Sequence, residues 1–600
     1  MNPLCCRLGA VAALLLASLG SAQQLHVTVD FNDDYRKAGG PVARANIDQL
    51  MARFAELGID RVYWIHNAED HYLPRPLTVP NVDLLESAVT AAHRHGMELY
   101  ASYKPFETGH AGTVFPHNIP LPGGDRTIES ISGHHPVVAP FVLNRPEYRL
   151  RRREFAAVEN REIDQIKLVK ADDEPTRLKK RHLRLFTSRI NGAFKPHVGD
   201  FDFRDSLETR DGRSVRVLTL SGLGIPRDVR YVMVQSVLAD GEGDFENAET
   251  RLIEIYDAKG KRLPSTVDEG RYSHDELAAW LKSYHLLRHG KTVLPEKIIP
   301  LGYGRSPTHS GYHFDGGNAR RNRVLDGTSG PNDAVVVVAK GRNEYTAGAL
   351  HPVYAEVRDY WRNEIRSRCL DAGVDGISIR IANHSSWTSE GSMFGFNPPA
   401  IQDYKQRYGE SPRDGDGARW KQLQGEYFTQ FLRELKQDLA EYDARLQVSV
   451  NYLALREVPG WRRNNVPENF TYEWKKWITE DIADSVELKY LPWPFGTNRE
   501  SGRELIEPVA RLARESGKPI FTNVRIGIPW REVQAKGSPE VPPDDPRLDD
   551  LRAELRAAWH NKLLDGVILY EGAAFTKMIP ETGETVMAQF MKVVIDELRR

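Results

Sequence analysis

The sequence contains very little cysteine. Only three occur in 600 residues, and two of them, Cys5 and Cys6, lie in an amino-terminal segment that we expect to be removed. Because the mature chain would then keep Cys369 alone, an intramolecular disulfide is excluded. Paired Cys-x-x-Cys spacings and a His-Glu-x-x-His motif are also missing, which removes the usual signatures of a zinc site. We therefore predict neither a bound metal nor a cofactor.

An excess of charge of one sign is missing as well. Lysine and arginine number 81 against 83 aspartates and glutamates, which gives a formal net charge of −2. Such a balance provides no case for nucleic acid or a membrane surface as the partner of the whole protein.

Long apolar runs are restricted to the start of the chain. The segment "MNPLCCRLGAVAALLLASLGSAQQ" combines Arg7, a short apolar run and the small residues Gly20-Ser21-Ala22. This order is typical of a secretory signal peptide and is too short for a stable membrane anchor. We predict a signal peptide over residues 1–22 and a secreted or periplasmic protein.

Segments with strand and helix patterns alternate along most of the chain. Eight candidate strands, each preceded or followed by a helical pattern, cover residues 25–31, 61–66, 97–104, 374–381, 446–452, 485–490, 519–526 and 566–571. Eight strand–helix units in one chain indicate an α/β fold, the closed (β/α)8 TIM barrel. An open doubly wound sheet is the alternative, but no glycine-rich phosphate motif follows the first strand.

One long interruption separates the third candidate strand from the fourth. Residues 159–265 contain short strands and turns such as "VRVLTLSGL" and "VRYVMVQSV". This pattern predicts an antiparallel β-sandwich inserted after strand three. The barrel would then comprise residues 23–150 and 331–600, with 266–330 as a connecting region. Such sandwiches often bind sugars, but a purely structural role is as consistent with the pattern.

Polar residues occupy the inward positions at the ends of the candidate strands. In "DGISIRIANHSSW" (375–387), Ile377 and Ile379 alternate with Ser378 and Arg380, so an arginine points into the barrel. Barrel enzymes place their sites at these carboxyl-terminal strand ends. The residues predicted to bind substrate are Trp64, His66, Lys104, Arg380, His384, Asn451, Lys489, Asn523 and Arg525.

Two glutamates are predicted to form the catalytic pair. Alternation assigns Glu487 and Glu571 to the inward ends of strands six and eight, and Asp30 on strand one is the reserve candidate for the base. Lys489 would keep Glu487 ionised, whereas Glu571 follows an apolar run and suits the acid. Glu487 could instead form a structural ion pair with Lys489 or Arg525.

Several motifs resemble a known family. "LMARFAELGIDRVYW", "CLDAGVDGISIRIANHS" and "FGFNPPAIQDYKQRYG" are similar to the bacterial barrels called glycosyl hydrolase-like 10. The similarity covers most of the predicted barrel but not the insert, and it implies a secreted carbohydrate-active (β/α)8 protein. Related barrels often carry an acidic residue just after the "DGI" strand, where this chain has Arg380. The resemblance therefore assigns no catalytic carboxylate to strand four.

Three functions remain open at this stage. A glycoside hydrolase would use two carboxylates of the cleft to cleave a polysaccharide or oligosaccharide. A non-catalytic carbohydrate-binding barrel would explain the missing carboxylate on strand four. A polysaccharide lyase would use cationic and aromatic residues on a uronic-acid polymer. The cationic strand ends also suggest a substrate that carries carboxylate or sulfate groups.

Overall fold

The computed structural model describes most of the predicted barrel and of the insert. The described residues are 23–30, 43–65, 82–108, 141–142, 145–153, 161–170, 172–188, 195–236, 245, 253–264, 334–340, 345–382, 391–451, 467–489, 500–526, 549–570, 592, 595–596 and 598–599. Among the helices in these ranges, none is long and apolar enough to cross a membrane.

Eighteen strands and eight α-helices follow one another in these ranges. The first part contains β1 (Gln24–Asp30), α1 (Arg44–Glu56), β2 (Arg61–Ile65), α2 (Leu84–Arg94) and β3 (Glu98–Tyr103). The middle part contains β4 (Arg149–Arg151), β5 (Ile163–Val169), β6 (Leu183–Ser188), β7 (Lys195–Pro196), β8 (Asp202–Arg210), β9 (Arg213–Ile225), β10 (Tyr231–Ser236), β11 (Ile253–Tyr256), β12 (Ala334–Ala339) and β13 (Tyr345–Leu350). The last part contains α3 (Ala355–Arg368), β14 (Gly376–Arg380), α4 (Pro398–Tyr408), α5 (Gly417–Ala440), β15 (Arg445–Asn451), α6 (Trp474–Thr479), β16 (Ser485–Lys489), α7 (Glu500–Glu515), β17 (Ile520–Arg525), α8 (Asp549–Trp559) and β18 (Gly566–Tyr570).

Eight of these strands close into a parallel barrel. Their order around it is β1-β18-β17-β16-β15-β14-β3-β2. Every pair of neighbours is parallel. The predicted TIM barrel is confirmed, and each predicted strand overlaps one of the eight.

The barrel closes because one side of each strand is apolar. Ile377 and Ile379 of β14 are fully buried in a large cluster shared with helix residues such as Trp361 of α3 and Phe428 of α5. Their neighbour Ser378 on the alternate side is buried in the interior. Burial of apolar area at roughly 25 cal/mol per Å² drives the helices onto the sheet. The opposite side of each strand, which is polar in β14, lines the interior.

At the amino-terminal end of the barrel, aspartates join neighbouring strands in four pairs. In four places an aspartate just before a strand accepts the N–H of a residue at the start of the neighbouring strand, and its own N–H donates to that residue's carbonyl, at 2.7–2.9 Å. The four pairs are Asp60 with Leu25, Asp375 with Leu99, Asp484 with Leu446, and Asp565 with Ile520. The aspartate of the "DGI" motif is thus part of a structural device, which conforms to the stabilising role of this barrel face.

Aromatic side chains fill the interior above that end. Tyr63, Tyr100, Phe521 and Ile568, from four strands, form one buried cluster. The Arg61 guanidinium carbon lies 4.2 Å from the centre of the Tyr100 ring, a cation–π contact. This layer occupies the lower part of the barrel, so we expect a ligand to enter from the carboxyl-terminal end.

The insert forms two antiparallel sheets of four strands, in the orders β12-β10-β6-β7 and β11-β5-β9-β8. Leu185 and Val234 of the first sheet share one buried apolar cluster with Ile166 and Leu220 of the second. One predicted boundary is corrected, because β12 lies beyond residue 331 and yet pairs with β10. Its sequence, "AVVVVA", is continuously apolar, so periodicity could not assign it to the insert or to the barrel.

A two-stranded sheet of β4 and β13 links the insert to the barrel. Asn397, in the "FNPP" motif before α4, accepts the N–H of Arg151 at 2.9 Å and donates to the carbonyl of Arg149 at 2.8 Å. This fully buried side chain therefore acts as a clamp on β4. The motif that carries part of the family resemblance thus has a structural role in this chain.

Candidate active site

Glu487 lies at the centre of the candidate site. Its side chain projects from β16 into the interior, while its neighbours Val486 and Leu488 pack in an outer apolar cluster. Asn523 of β17 donates its side-chain N–H to Oε1 at 2.8 Å. On the other side, the Ser378 hydroxyl lies 3.5 Å from Oε2. Glu487 itself is only 3% exposed.

The environment of Glu487 favours its neutral form. Burial raises the pKa of this carboxyl above its ordinary value. The charge of Arg380 and hydrogen bonds from Asn523 and from serines lower the pKa and oppose that effect only in part. The direction is opposite to the one expected from Lys489. The sequence assigned the acid role to Glu571, whereas a desolvated carboxyl such as that of Glu487 suits a proton donor.

Arg380, the arginine on the inward side of β14, lies close to Glu487. Register pairs Ser449 of β15 with Arg380 on one side and with Glu487 on the other. The two charged residues therefore flank one serine on three consecutive strands. The guanidinium carbon lies 4.9 Å from the ring centre of Tyr570, and the residue is 1% exposed. Arg380 thus forms part of the interior wall and supplies positive charge beside Glu487.

Lys104 follows β3 and contacts a second buried carboxylate. Its ammonium donates to Oε1 of Glu107 at 2.8 Å. The two side chains are 7% and 1% exposed, and the N–H of Glu107 donates to the carbonyl of Lys104 at 2.9 Å. A short turn therefore returns Glu107 toward the barrel mouth. The sequence pattern identified Lys104 but not Glu107.

One predicted position does not belong to the inward face, and the alternation behind another is not the one observed. Trp64 was expected there, but it lies with Val62 in the outer apolar cluster, and Tyr63 lines the interior instead. All five residues of β2 are buried, so its alternation carries no signal. The prediction for Glu571 used the face of Val567 and Leu569.

Those two residues of β18 also pack in the outer cluster, whereas Ile568 lies in the interior cluster. The alternation used for Glu571 thus follows the outer face of β18, and the inward position of Glu571 stays a prediction. Glu571 itself lies outside the described residues.

Other predicted residues are described in part or not at all. Asp30, Asn451, Lys489 and Arg525 each end a barrel strand, and their backbones pair with Ile65, Lys489, Asn451 and Tyr570 respectively. The structure describes no side chain for these four residues. His66 and His384 lie outside the described ranges, as do Glu69, Asp70 and His71. Within the ranges that are described, no cluster of three or more His, Cys, Asp or Glu could hold a metal ion.

Taken together, the described groups can transfer a proton. A buried carboxyl with a raised pKa is fixed from two sides by neutral donors and has a cation beside it. Gln447 is fully buried on β15, two residues before Ser449. The Glu487 carboxyl thus lies among polar interior side chains of β14, β15 and β17.

Comparisons with known proteins add little to this geometry. No protein-family model and no curated protein matches the sequence. The resemblance to glycosyl hydrolase-like 10 therefore remains a hypothesis based on motifs.

Some solved structures are similar at low identity. The glycoside hydrolase domain of PgaB (BpsB) from Bordetella bronchiseptica is 12% identical, with 96% of this chain and 99% of that chain covered and a TM-score of 0.37. The β-amylase catalytic domain from Paenibacillus polymyxa is 8% identical, with 97% and 100% covered and a TM-score of 0.37. The α-L-fucosidase isoenzyme 2 from Paenibacillus thiaminolyticus is 9% identical, with 96% and 49% covered and a TM-score of 0.38. Similarities this weak carry no argument about activity.

Proposed function

We propose that this protein is a secreted glycoside hydrolase that uses Glu487 as a general acid. The observation that carries the proposal is the buried Glu487 carboxyl in the barrel interior, with its raised pKa, its hydrogen bond from Asn523 and Arg380 nearby. Cleavage of a glycosidic bond requires a carboxyl that is still protonated at the working pH. Secretion is proposed from the signal pattern in residues 1–22.

In this proposal Asn523 orients the Glu487 carboxyl, and Arg380 stabilises its charged form. Asn523 holds Oε1 and leaves Oε2, with its weak 3.5 Å contact from Ser378, to face the glycosidic oxygen. Arg380 limits the rise of the Glu487 pKa and then stabilises the carboxylate that forms after proton transfer. General acid catalysis of this kind contributes rate factors on the order of 10²–10⁴.

An anionic substrate is a narrower part of the proposal. The sequence suggested such a substrate because four strands end in a cationic residue, namely Lys104, Arg380, Lys489 and Arg525. Lys104 is neutralised by Glu107, so its charge is not needed for a ligand. The hypothesis now depends on Arg380, together with Lys489 and Arg525. If it holds, Arg380→Ala should impair the cleavage of saccharides with carboxylate or sulfate groups more than that of neutral ones.

A substrate screen tests the proposed function. The purified protein should release new reducing ends from at least one member of a panel of polysaccharides and 4-nitrophenyl glycosides. Absorbance from unsaturated products would indicate a lyase instead. Binding without any cleavage would indicate a carbohydrate-binding barrel, in which Glu107 would be only the structural ion-pair partner of Lys104.

A further inference from the structure

A second carboxylate is needed for the proposed hydrolysis, and Glu571 has lost its basis in the strand register. Glu107 is buried just beyond the carboxyl-terminal end of β3, with 3% of its surface exposed. It was not among the residues selected from the sequence.

The backbone register places Lys104 and its partner on the lumen side of β3. Ser102 pairs with Ser378, whose side chain contacts Glu487. Lys104 comes two residues after Ser102 and so follows the same inward face. Its ammonium contacts Glu107 at 2.8 Å, which places that carboxylate above the serine layer.

The two carboxylates lie on different walls of the barrel. In the strand order, β14 and β15 separate β3 from β16, so the two bearing strands are three steps apart in a ring of eight. A sugar entering from the open end would pass between the wall with Glu107 and the wall with Glu487. Acid and base groups on opposite sides of the scissile bond suit direct displacement by water.

Their surroundings also differ in the required direction. Glu487 has neutral donors in contact and a cation one strand beyond Ser449. Glu107 has an ammonium group in direct contact at 2.8 Å, whereas the donors in contact with Glu487 are uncharged. Pairs of carboxyl groups in unlike environments are typical of acid and base roles in one site.

We propose that Glu107 is the second catalytic carboxylate, the general base that activates water, with Lys104 as its positioning residue. The inference rests on the proposed glycoside hydrolase function. Glu487 gives its proton to the glycosidic oxygen, and the electron pair of the breaking C1–O bond goes to that oxygen. Glu107 takes a proton from water as the water oxygen forms the new bond to C1. The products are an alcohol and a hemiacetal, and the two carboxyl groups then exchange one proton with solvent.

The test compares two leaving groups in two variants. The 2,4-dinitrophenyl and 4-nitrophenyl glycosides of a sugar that the wild type cleaves serve as probes, with a natural saccharide of the same sugar. Glu487→Gln should lose activity on the natural saccharide and recover it largely on the dinitrophenyl glycoside, which departs without a proton. Glu107→Gln should lose activity by a factor on the order of 10²–10⁴ on all three. Near wild-type activity of Glu107→Gln on all three substrates, or its recovery on the dinitrophenyl glycoside, would overturn the proposal.

A double variant separates chemistry from folding. Glu107→Gln alone leaves the buried Lys104 ammonium without this carboxylate, which can destabilise the protein. Lys104→Met with Glu107→Gln removes both charges and should restore stability without restoring turnover. A double variant that regains activity would show that the pair is only structural. If the wild type cleaves no glycoside, the proposed function fails; if only Glu107→Gln stays active, this inference alone fails.

Discussion

Asn523 of β17 donates its side-chain N–H to Oε1 of Glu487 at 2.8 Å, across one strand boundary of the barrel. The contact fixes a buried carboxyl without adding a charge, so burial still raises its pKa. The Oδ1 of Asn523 is itself buried and accepts no hydrogen bond from the residues that are described.

The charge of Arg380 should control the pH range of activity. Arg380 lowers the pKa of Glu487, so Arg380→Met should raise it further. A general acid loses activity as the pH rises above its pKa, and the alkaline limb of the kcat/KM profile should shift to higher pH in this variant. Arg380→Lys, which keeps the charge, should leave the limb close to its wild-type position. A shift toward lower pH would contradict the assignment of Glu487 as the acid.

Glu487 should make the protein less stable as the pH rises. Its pKa is raised by folding, so the folded state binds the proton more tightly than the unfolded chain does. The resulting stabilisation is complete below the unfolded pKa and disappears as the pH rises through the folded value. Glu487→Gln should therefore gain stability relative to the wild type as the pH rises above the ordinary pKa of a glutamate, as measured by urea unfolding. Glu515→Gln, on the exposed end of α7, is the matched control; an equal gain in both variants would count against this account.

The four aspartates that join neighbouring strands at the amino-terminal end of the barrel should contribute to stability and not to activity. Asp565→Ala removes the side-chain acceptor of the Ile520 N–H, which is 2.9 Å away. Loss of such an acceptor costs about 1–3 kcal/mol. Asp565→Asn keeps an oxygen acceptor and should cost less. Thermal unfolding and turnover of the folded fraction check both variants, and an unchanged melting temperature in Asp565→Ala would refute the structural role.

Gly376 should be intolerant of a side chain. A Cβ at this position would lie 2.6 Å from Cε2 of Tyr100 and 2.7 Å from the Arg445 carbonyl oxygen. Gly376→Ala would displace the aromatic layer of the barrel, and overpacking of this kind costs roughly 1–3 kcal/mol. A Cβ added at Gly417, the first residue of α5, would meet no neighbouring atom within 4 Å. Gly417→Ala should change the free energy of unfolding by less than about 1 kcal/mol, and equal effects of the two substitutions would contradict this account.

The sequence predicted the barrel because most strands combine an apolar outer side with a polar inner side. Where a strand is buried on both sides, that signal vanishes. Trp64 was therefore assigned to the wrong face. The continuously apolar sequence of β12 likewise shows no alternation, so β12 was not recognised as part of the insert. Asn523 and Glu487 were identified because they continue a clear alternation.

Glu107 was missed for a different reason. It lies beyond the end of β3, where the two-residue period no longer applies. Only the turn that returns it to Lys104 brings it to the site. A glutamate three residues after an inward lysine was the available signal, but its meaning depends on that turn.

The central claim is that Glu487 donates the proton to the leaving group. The direct measurement is the turnover of Glu487→Gln on a natural saccharide that the wild type cleaves, with binding of the same saccharide measured by calorimetry. The account predicts that kcat falls by a factor on the order of 10²–10⁴ while the affinity stays within a few-fold of the wild type. Wild-type turnover in this variant would contradict it.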